Sequence, residues 1–149
     1  MAHEATATIG ETLGEATEGE IATRIKSVAQ VMFCDGCCCG RTDRGYPAVP
    51  VERIKAIWKA EKLNRGVQLT ISGCLGPCDL ANVAVIVTAE TTTWLGLIEG
   101  DGDYDALVDW ARRIRRGEGS TAIPDRLASR RFDRFASAKA IEPDEAVVK

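Results

Sequence analysis

Six cysteines stand in two short clusters, CDGCCCG at 34–40 and CLGPC at 74–78, and none lies elsewhere in the 149 residues. Each cluster follows an apolar, strand-like run: residues 28–33 before the first, and residues 67–72 plus one glycine before the second. A disulfide framework scatters its cysteines to staple distant loops. A metal or cluster site gathers them, because thiolates must converge on one centre. Any fold for this chain therefore has to bring the ends of these two runs together.

A helical pattern lies between the runs. Pro50 suits a first helical turn, since its missing N–H would be unpaired there anyway. Val51, Ile54, Ile57, Trp58 and Ala60 recur near helical spacing, and Asn64-Arg65-Gly66 reads as a stop. The spacing predicts a helix over 50–64, packed on a sheet, with Trp58 as a packing residue and not a cofactor contact. A strand–helix–strand unit of this length is parallel, with a right-handed crossover. Parallel strands end on the same side of a sheet. Cys34, taken as the first residue after the first strand, and Cys74 then project from one edge if the strands are neighbours. That is where open α/β sheets place their ligands. Gly36, Gly40, Gly73 and Gly76 allow close backbone approach, and loop N–H groups there can donate to sulfur. Pro77 stiffens the second loop.

Further on, residues 83–87 are a continuous β-branched run, expected to be a strand buried on both faces. Residues 91–98 read as a fourth strand, closing a hairpin. Asp103 is placed to cap a second helix whose face is Tyr104, Leu107, Val108, Ala111 and Ile114, and which Gly117 ends. Trp110 sits off that stripe and reads as a boundary residue. A weak helical candidate spans 124–138, with Leu127, Phe132 and Phe135 expected to fold back onto the domain. The expected architecture is an α/β layer in the order β-α-β-β-β-α at 25–117. A flexible acidic extension precedes it at 1–24, and a basic C-terminal extension follows at 118–149.

Charge is uneven along the chain. Residues 1–20 carry five acids and no Lys or Arg, whereas residues 112–139 carry nine bases against three acids. That basic segment is either a solvated end or a docking surface for an acidic partner. Nucleic acid is not expected, because the net charge is −3 and no aromatic–basic module is present. No apolar run is long enough for a bilayer, and the N-terminus has no secretory pattern. The expected compartment is the cytoplasm, where thiols stay reduced. The single histidine, His3, cannot complete a Ser–His–Asp set within the body of the chain. No G-x-G-x-x-G or G-x-x-x-x-G-K-[ST] supports a nucleotide site. Asp101, Asp103 and Asp105 alternate, but the terminal Glu of a calcium loop is absent, so helix capping accounts for them better.

At the two cysteine loops the sequence resembles the thioredoxin-like 2Fe–2S ferredoxins. The resemblance spans residues 28–116. It rests on the strand-ending first cysteine, the ISGCLGPCD segment at 71–79 and the element order. It implies a thioredoxin-like fold, a 2Fe–2S cluster on four cysteines, and one-electron transfer with a redox partner protein (a reductase or oxidoreductase) instead of catalysis. Cys74 and Cys78 match the family's second pair. The spacing of Cys34 and Cys39 is similar to the small iron–sulfur subunit of NADH:quinone oxidoreductases and related hydrogenases, whose N-terminal helical bundle is not seen here. The chain therefore looks more like a free or peripheral ferredoxin. It also looks like small ferredoxin-like proteins found alongside cobalamin-synthesis and cobalt-chelation functions. Relatives of this kind can form a homodimer, with which Trp110 is compatible.

The departure from pattern is the triple Cys37-Cys38-Cys39. The ligand set implied is Cys34, Cys39, Cys74 and Cys78, with Cys37 and then Cys38 as alternatives to Cys39. An unused thiol would be a packing residue, a spare ligand or a redox-sensitive group. Arg41 and Arg44 lie close to the first loop as cations, and Arg44 reads as plainly solvent-facing. Two other readings compete. A structural zinc site on Cys34, Cys37, Cys74 and Cys78 fits C-x2-C with a distant second pair, although a chain of this size needs no metal to fold. A thiol–disulfide oxidoreductase could use Cys34 and Cys37 as a C-x-x-C pair. However, the helix starts well after that motif, and the second cluster would have no role.

Overall fold

The structure, a computed structural model, describes residues 21–140. Most of the acidic extension, with His3, and the chain after 140 lie outside the described residues. Strand β1 is Ala29–Cys34, helix α1 Val51–Glu61, β2 Val67–Ser72, β3 Ala84–Thr88, β4 Thr92–Leu95 and helix α2 Gly100–Arg115. A two-residue strand β5, Arg131–Phe132, completes one sheet in the order β2-β1-β3-β4-β5. β1 and β2 are parallel, and every other pairing is antiparallel. This is the expected thioredoxin-like α/β layer, with a fifth strand added at its edge. No helix among the described residues is long and apolar enough to cross a membrane.

Alternation along the strands decides the layers. Val31, Phe33, Ala84, Ile86 and Leu95 point to one face. There they pack with Ile54 and Trp58 of α1 and with Leu107, Val108 and Ala111 of α2. The other face carries Met32, Val85, Val87 and Trp94 and adjoins Cys34 and Cys39. Burial on both faces explains the unbroken apolar text of β3, where Ala84, Val85 and Ile86 are all buried. Trp58 is the packing residue expected, and its Nε1–H donates to the Val67 carbonyl at 2.8 Å.

Several boundaries differ from the sequence reading, each for a local reason. Cys34 is the last residue of β1, still paired opposite Ser72, instead of the first residue beyond it. Helix α1 stops at Glu61 because Lys62 turns left-handed, at φ 54°, and a 3-10 turn carries the chain to Gly66. β4 ends at Leu95. The next two N–H groups leave the β3 ladder, Gly96 donating to the Arg130 carbonyl at 2.8 Å and Leu97 to the Leu80 carbonyl at 2.7 Å.

Asp103 does not precede α2. The helix begins at Gly100 after the extended Glu99, and Asp103 sits in its first turn with Oδ2 accepting the Glu99 N–H at 3.0 Å. It caps the helix by reaching back, as the acid of a capping box does.

The largest difference lies after Gly117. The helical candidate at 124–138 is instead a 3-10 helix, Asp125–Arg130, followed by β5. Leu127 enters the core fully buried, and Phe132 rests beside Trp94, but Phe135 remains 74% exposed. Residues of this segment cover the second face of α2. Trp110 is therefore 1% exposed, donating Nε1–H to the Thr121 carbonyl at 3.2 Å. It is neither a boundary residue nor available to a second copy of the chain.

Candidate metal centre

The parallel pairing of β1 and β2 delivers both cysteine loops to one sheet edge. The loops are then tied together: Asp35 N–H donates to the Ser72 carbonyl at 2.9 Å, and Cys34 Sγ donates to the Gly73 carbonyl at 3.0 Å. The first loop closes on itself, with Gly36 N–H on the Cys39 carbonyl and Arg41 N–H on the Cys38 carbonyl. Its turn needs Gly40, at φ +78°, where a Cβ would meet Asp35 Oδ1 at 2.5 Å.

The six thiols are free and fall into an inner pair and an outer group. Cys34 and Cys39 are buried, at 3% and 1% exposure. Cys39 Sγ accepts the Val83 N–H at 3.3 Å. Burial, and then its bond with Cys34, pushes the Cys39 thiol up to about 12. Outside them, the sulfurs of Cys37, Cys38 and Cys78 all lie within 4.8 Å of one another. Cys74 joins through Cys78, with sulfurs 3.5 Å apart. That shared bond lowers the Cys74 thiol, helped by the Gly76 N–H, and raises Cys78 to about 12. Of the two, Cys78 holds its proton more tightly than Cys74.

This donor set fits a thiolate-bound metal group. Two thiolates bonded to one metal at about 2.3 Å each sit roughly 3.8 Å apart, close to the Cys74–Cys78 separation. The Val83 N–H already reaches the Cys39 sulfur, as backbone donors do around metal-bound thiolates. Among the described residues, Cys37, Cys38 and Cys78 are the only cluster of three or more potential ligands. The aspartates of α2 do not converge. Asp101 and Asp105 hold Arg53, at 3.3 and 2.8 Å, and Asp103 is buried elsewhere.

The neighbouring charges are mostly engaged. Arg41 forms a two-bond pair with Asp43. Arg44 is not plainly solvent-facing, since its Nη1 donates to the Cys37 carbonyl at 3.2 Å and so props the first loop. The basic C-terminal residues are not one free surface either. Arg126 and Arg130 both grip Asp103, at 2.9 and 3.0 Å, while Arg112 pairs with Glu61 and Asp109.

Two positioning residues carry no sequence signal of their own. Asn82 is fully buried beneath the first loop, and Tyr104, counted only as helix stripe, meets it through its hydroxyl. Burial pushes the Tyr104 hydroxyl above its ordinary range, keeping it neutral as a hydrogen-bonding group.

The sheet order and the converged thiols together define a thioredoxin-like α/β domain with a thiol-rich edge. No protein-family model matches the chain, and no curated protein matches it. Solved structures similar to it include the wild-type thioredoxin-like [2Fe-2S] ferredoxin from Aquifex aeolicus, at 17% identity and a TM-score of 0.40, covering 73% of this chain and 100% of that one. A second structure of a thioredoxin-like [2Fe-2S] ferredoxin from that organism is 19% identical, with a TM-score of 0.38, covering 72% and 96%. These values are low, and the sheet order and thiol positions given above stand without them.

Proposed function

We propose that this chain holds a 2Fe–2S cluster on four thiolates and carries single electrons between partner proteins. The supporting observation is the meeting of thiols from two remote segments at one sheet edge, with a partly exposed outer group and a backbone donor on the Cys39 sulfur. Cys74 and Cys78 form one ligand pair. Cys34 and Cys39 form the other on their spacing, with Cys37 and then Cys38 as alternatives, both of which sit beside Cys78. The bound cluster supplies a reversible one-electron site. The chain supplies N–H donors to sulfur, a buried inner wall and a partly exposed edge where a reductase or oxidoreductase can approach. The reduced-thiol chemistry of such a carrier suits the cytoplasm, and the finer resemblance suggests a role beside cobalamin or cobalt-chelation chemistry.

One observation favours a second reading. Cys37, Cys38 and Cys78 converge, and Cys74 adjoins Cys78, an arrangement from which a structural zinc ion could draw its four thiolates. A thiol–disulfide enzyme has less support, because Cys34 is engaged with Gly73 and Cys39 while Cys37 lies in the outer group. Helix α1 also begins at Val51, well past both.

The test is a visible spectrum of anaerobically purified protein, with iron and acid-labile sulfide counted. The expected result is a brown protein with about two irons and two sulfides per chain. A colourless protein containing zinc overturns it. Single Cys→Ser changes at 34, 37, 38 and 39 then identify the ligands by which of them lose iron.

A further inference from the structure

The C-terminal segment ends its return along the sheet by laying Arg134 against the second cysteine loop. β5 pairs Phe132 with Trp94, and two residues later the Arg134 guanidinium lies over the Trp94 ring at 5.4 Å and the Phe135 ring at 5.1 Å. Its Nη2 abuts Gly76. A Cβ there would stand 2.5 Å from that nitrogen, and Gly76 already holds φ +120°. The close approach therefore depends on glycine at the centre of the Cys74–Cys78 loop. Arg134 Nε is buried with no hydrogen-bond partner among the described residues. A half-buried guanidinium with its Nε taken out of water is costly unless negative charge lies nearby. No carboxylate among the described residues forms an ion pair with Arg134, whereas the adjoining loop carries two cysteines.

We propose that Arg134 is a positioning charge for the metal site, stacked on Trp94 and pressed against Gly76 so that it favours the reduced state and raises the site's reduction potential. The inference rests on the cluster reading above. Uptake of one electron from a donor makes a thiolate-bound site one unit more negative, and a fixed cation beside it stabilises that state over the oxidised one. The stack on two aromatic rings holds the charge in place without a carboxylate to cancel it. The C-terminal segment is then part of the redox site and more than a partner-docking tail.

The experiment is a dithionite titration of the iron-loaded full chain, followed by its visible spectrum, for wild type, R134Q, R134K, W94L and the exposed control R131Q. R134Q is expected to lower the equilibrium constant for reduction roughly tenfold, or about 59 mV for one electron. R134K should recover most of the loss, W94L should fall part-way, and R131Q should match wild type. The shift should persist at high salt, because a partly buried charge is screened little. Iron and sulfide contents equal to wild type show that the variants remain folded and loaded. A wild-type midpoint in R134Q, or an equal fall in R131Q, overturns the assignment and leaves the cluster reading standing. A wild-type protein that binds no iron and sulfide overturns both.

Discussion

Asn82 fastens the first cysteine loop to helix α2. Its Oδ1 accepts the Gly40 N–H at 3.0 Å, and its Nδ2 donates to the Pro47 carbonyl at 2.8 Å and to the Tyr104 hydroxyl at 3.2 Å. The side chain is fully buried, so removing it leaves the Tyr104 hydroxyl without this partner in the interior and frees the half-buried Gly40 N–H and Pro47 carbonyl. Asn82→Ala should cost about 1–3 kcal/mol in urea denaturation and should speed loss of iron from the loaded protein. A variant with wild-type stability and iron retention would show that the loop is fixed by other contacts.

Gly40→Ala is expected to disturb the same loop from the backbone side. A methyl group there needs φ +78° and meets both Asp35 Oδ1 and Val49. The expected cost is at least about 1 kcal/mol, with lower iron content on reconstitution. Gly45, at φ +89° with open space around it, provides the contrast. Its alanine variant should pay only the backbone strain and keep iron.

Asp103 is the anchor of the C-terminal segment. Its buried carboxylate holds two arginines and the Glu99 N–H, but Arg126 is 58% exposed and its share is screened. Asp103→Ala should therefore cost about 1–3 kcal/mol, less than a fully buried pair would. It should also open the segment to trypsin at Arg126 and Arg130. Cleavage no faster than in wild type would mean that Leu127 alone keeps the segment down.

Leu127→Ala tests that second anchor. The residue is fully buried in the main core, and truncation should cost about 2–5 kcal/mol. A cost below 1 kcal/mol would place the segment outside the cooperative unit.

Metal-free protein should weaken in alkali. In the fold, the Cys39 thiol is held up to about 12 against an ordinary 9.0, so the folded state binds its proton more tightly than the unfolded chain does. The stability this confers is whole below about pH 9 and is lost as pH rises toward 12. Urea midpoints should fall across that window, and less steeply in Cys39→Ala. Equal slopes in the two proteins would assign the loss to other groups.

The sheet was legible because periodicity and burial agreed. β2 lies where alternation put it, and the meeting of the two loops followed from a parallel unit without any contact being known. What stayed hidden depends on tertiary contact. Trp110 was misjudged because only one stripe of α2 was counted, while the opposite face is covered by residues that carry no strong pattern themselves. β5 is two residues long, and its pairing is set by where β4 ends, not by its own propensity. Asn82 and Asp103 are single polar residues whose importance comes from burial, which one sequence does not display. The crowding of Cys37, Cys38 and Cys39 showed that a choice of ligand existed. Geometry sorts these thiols into inner and outer positions, and spacing alone could not.

β5 has a consequence for how the molecule behaves in a crowded solution. Trp94 and Leu95 offer a strand edge, and two residues, one of them the exposed Arg131, occupy it. A chain cut before residue 131 would present that rim bare, as a ready template for another strand. Such a truncation should survive as a fold yet cluster on storage and scatter light, so the short strand also serves as the protein's safeguard against aggregation.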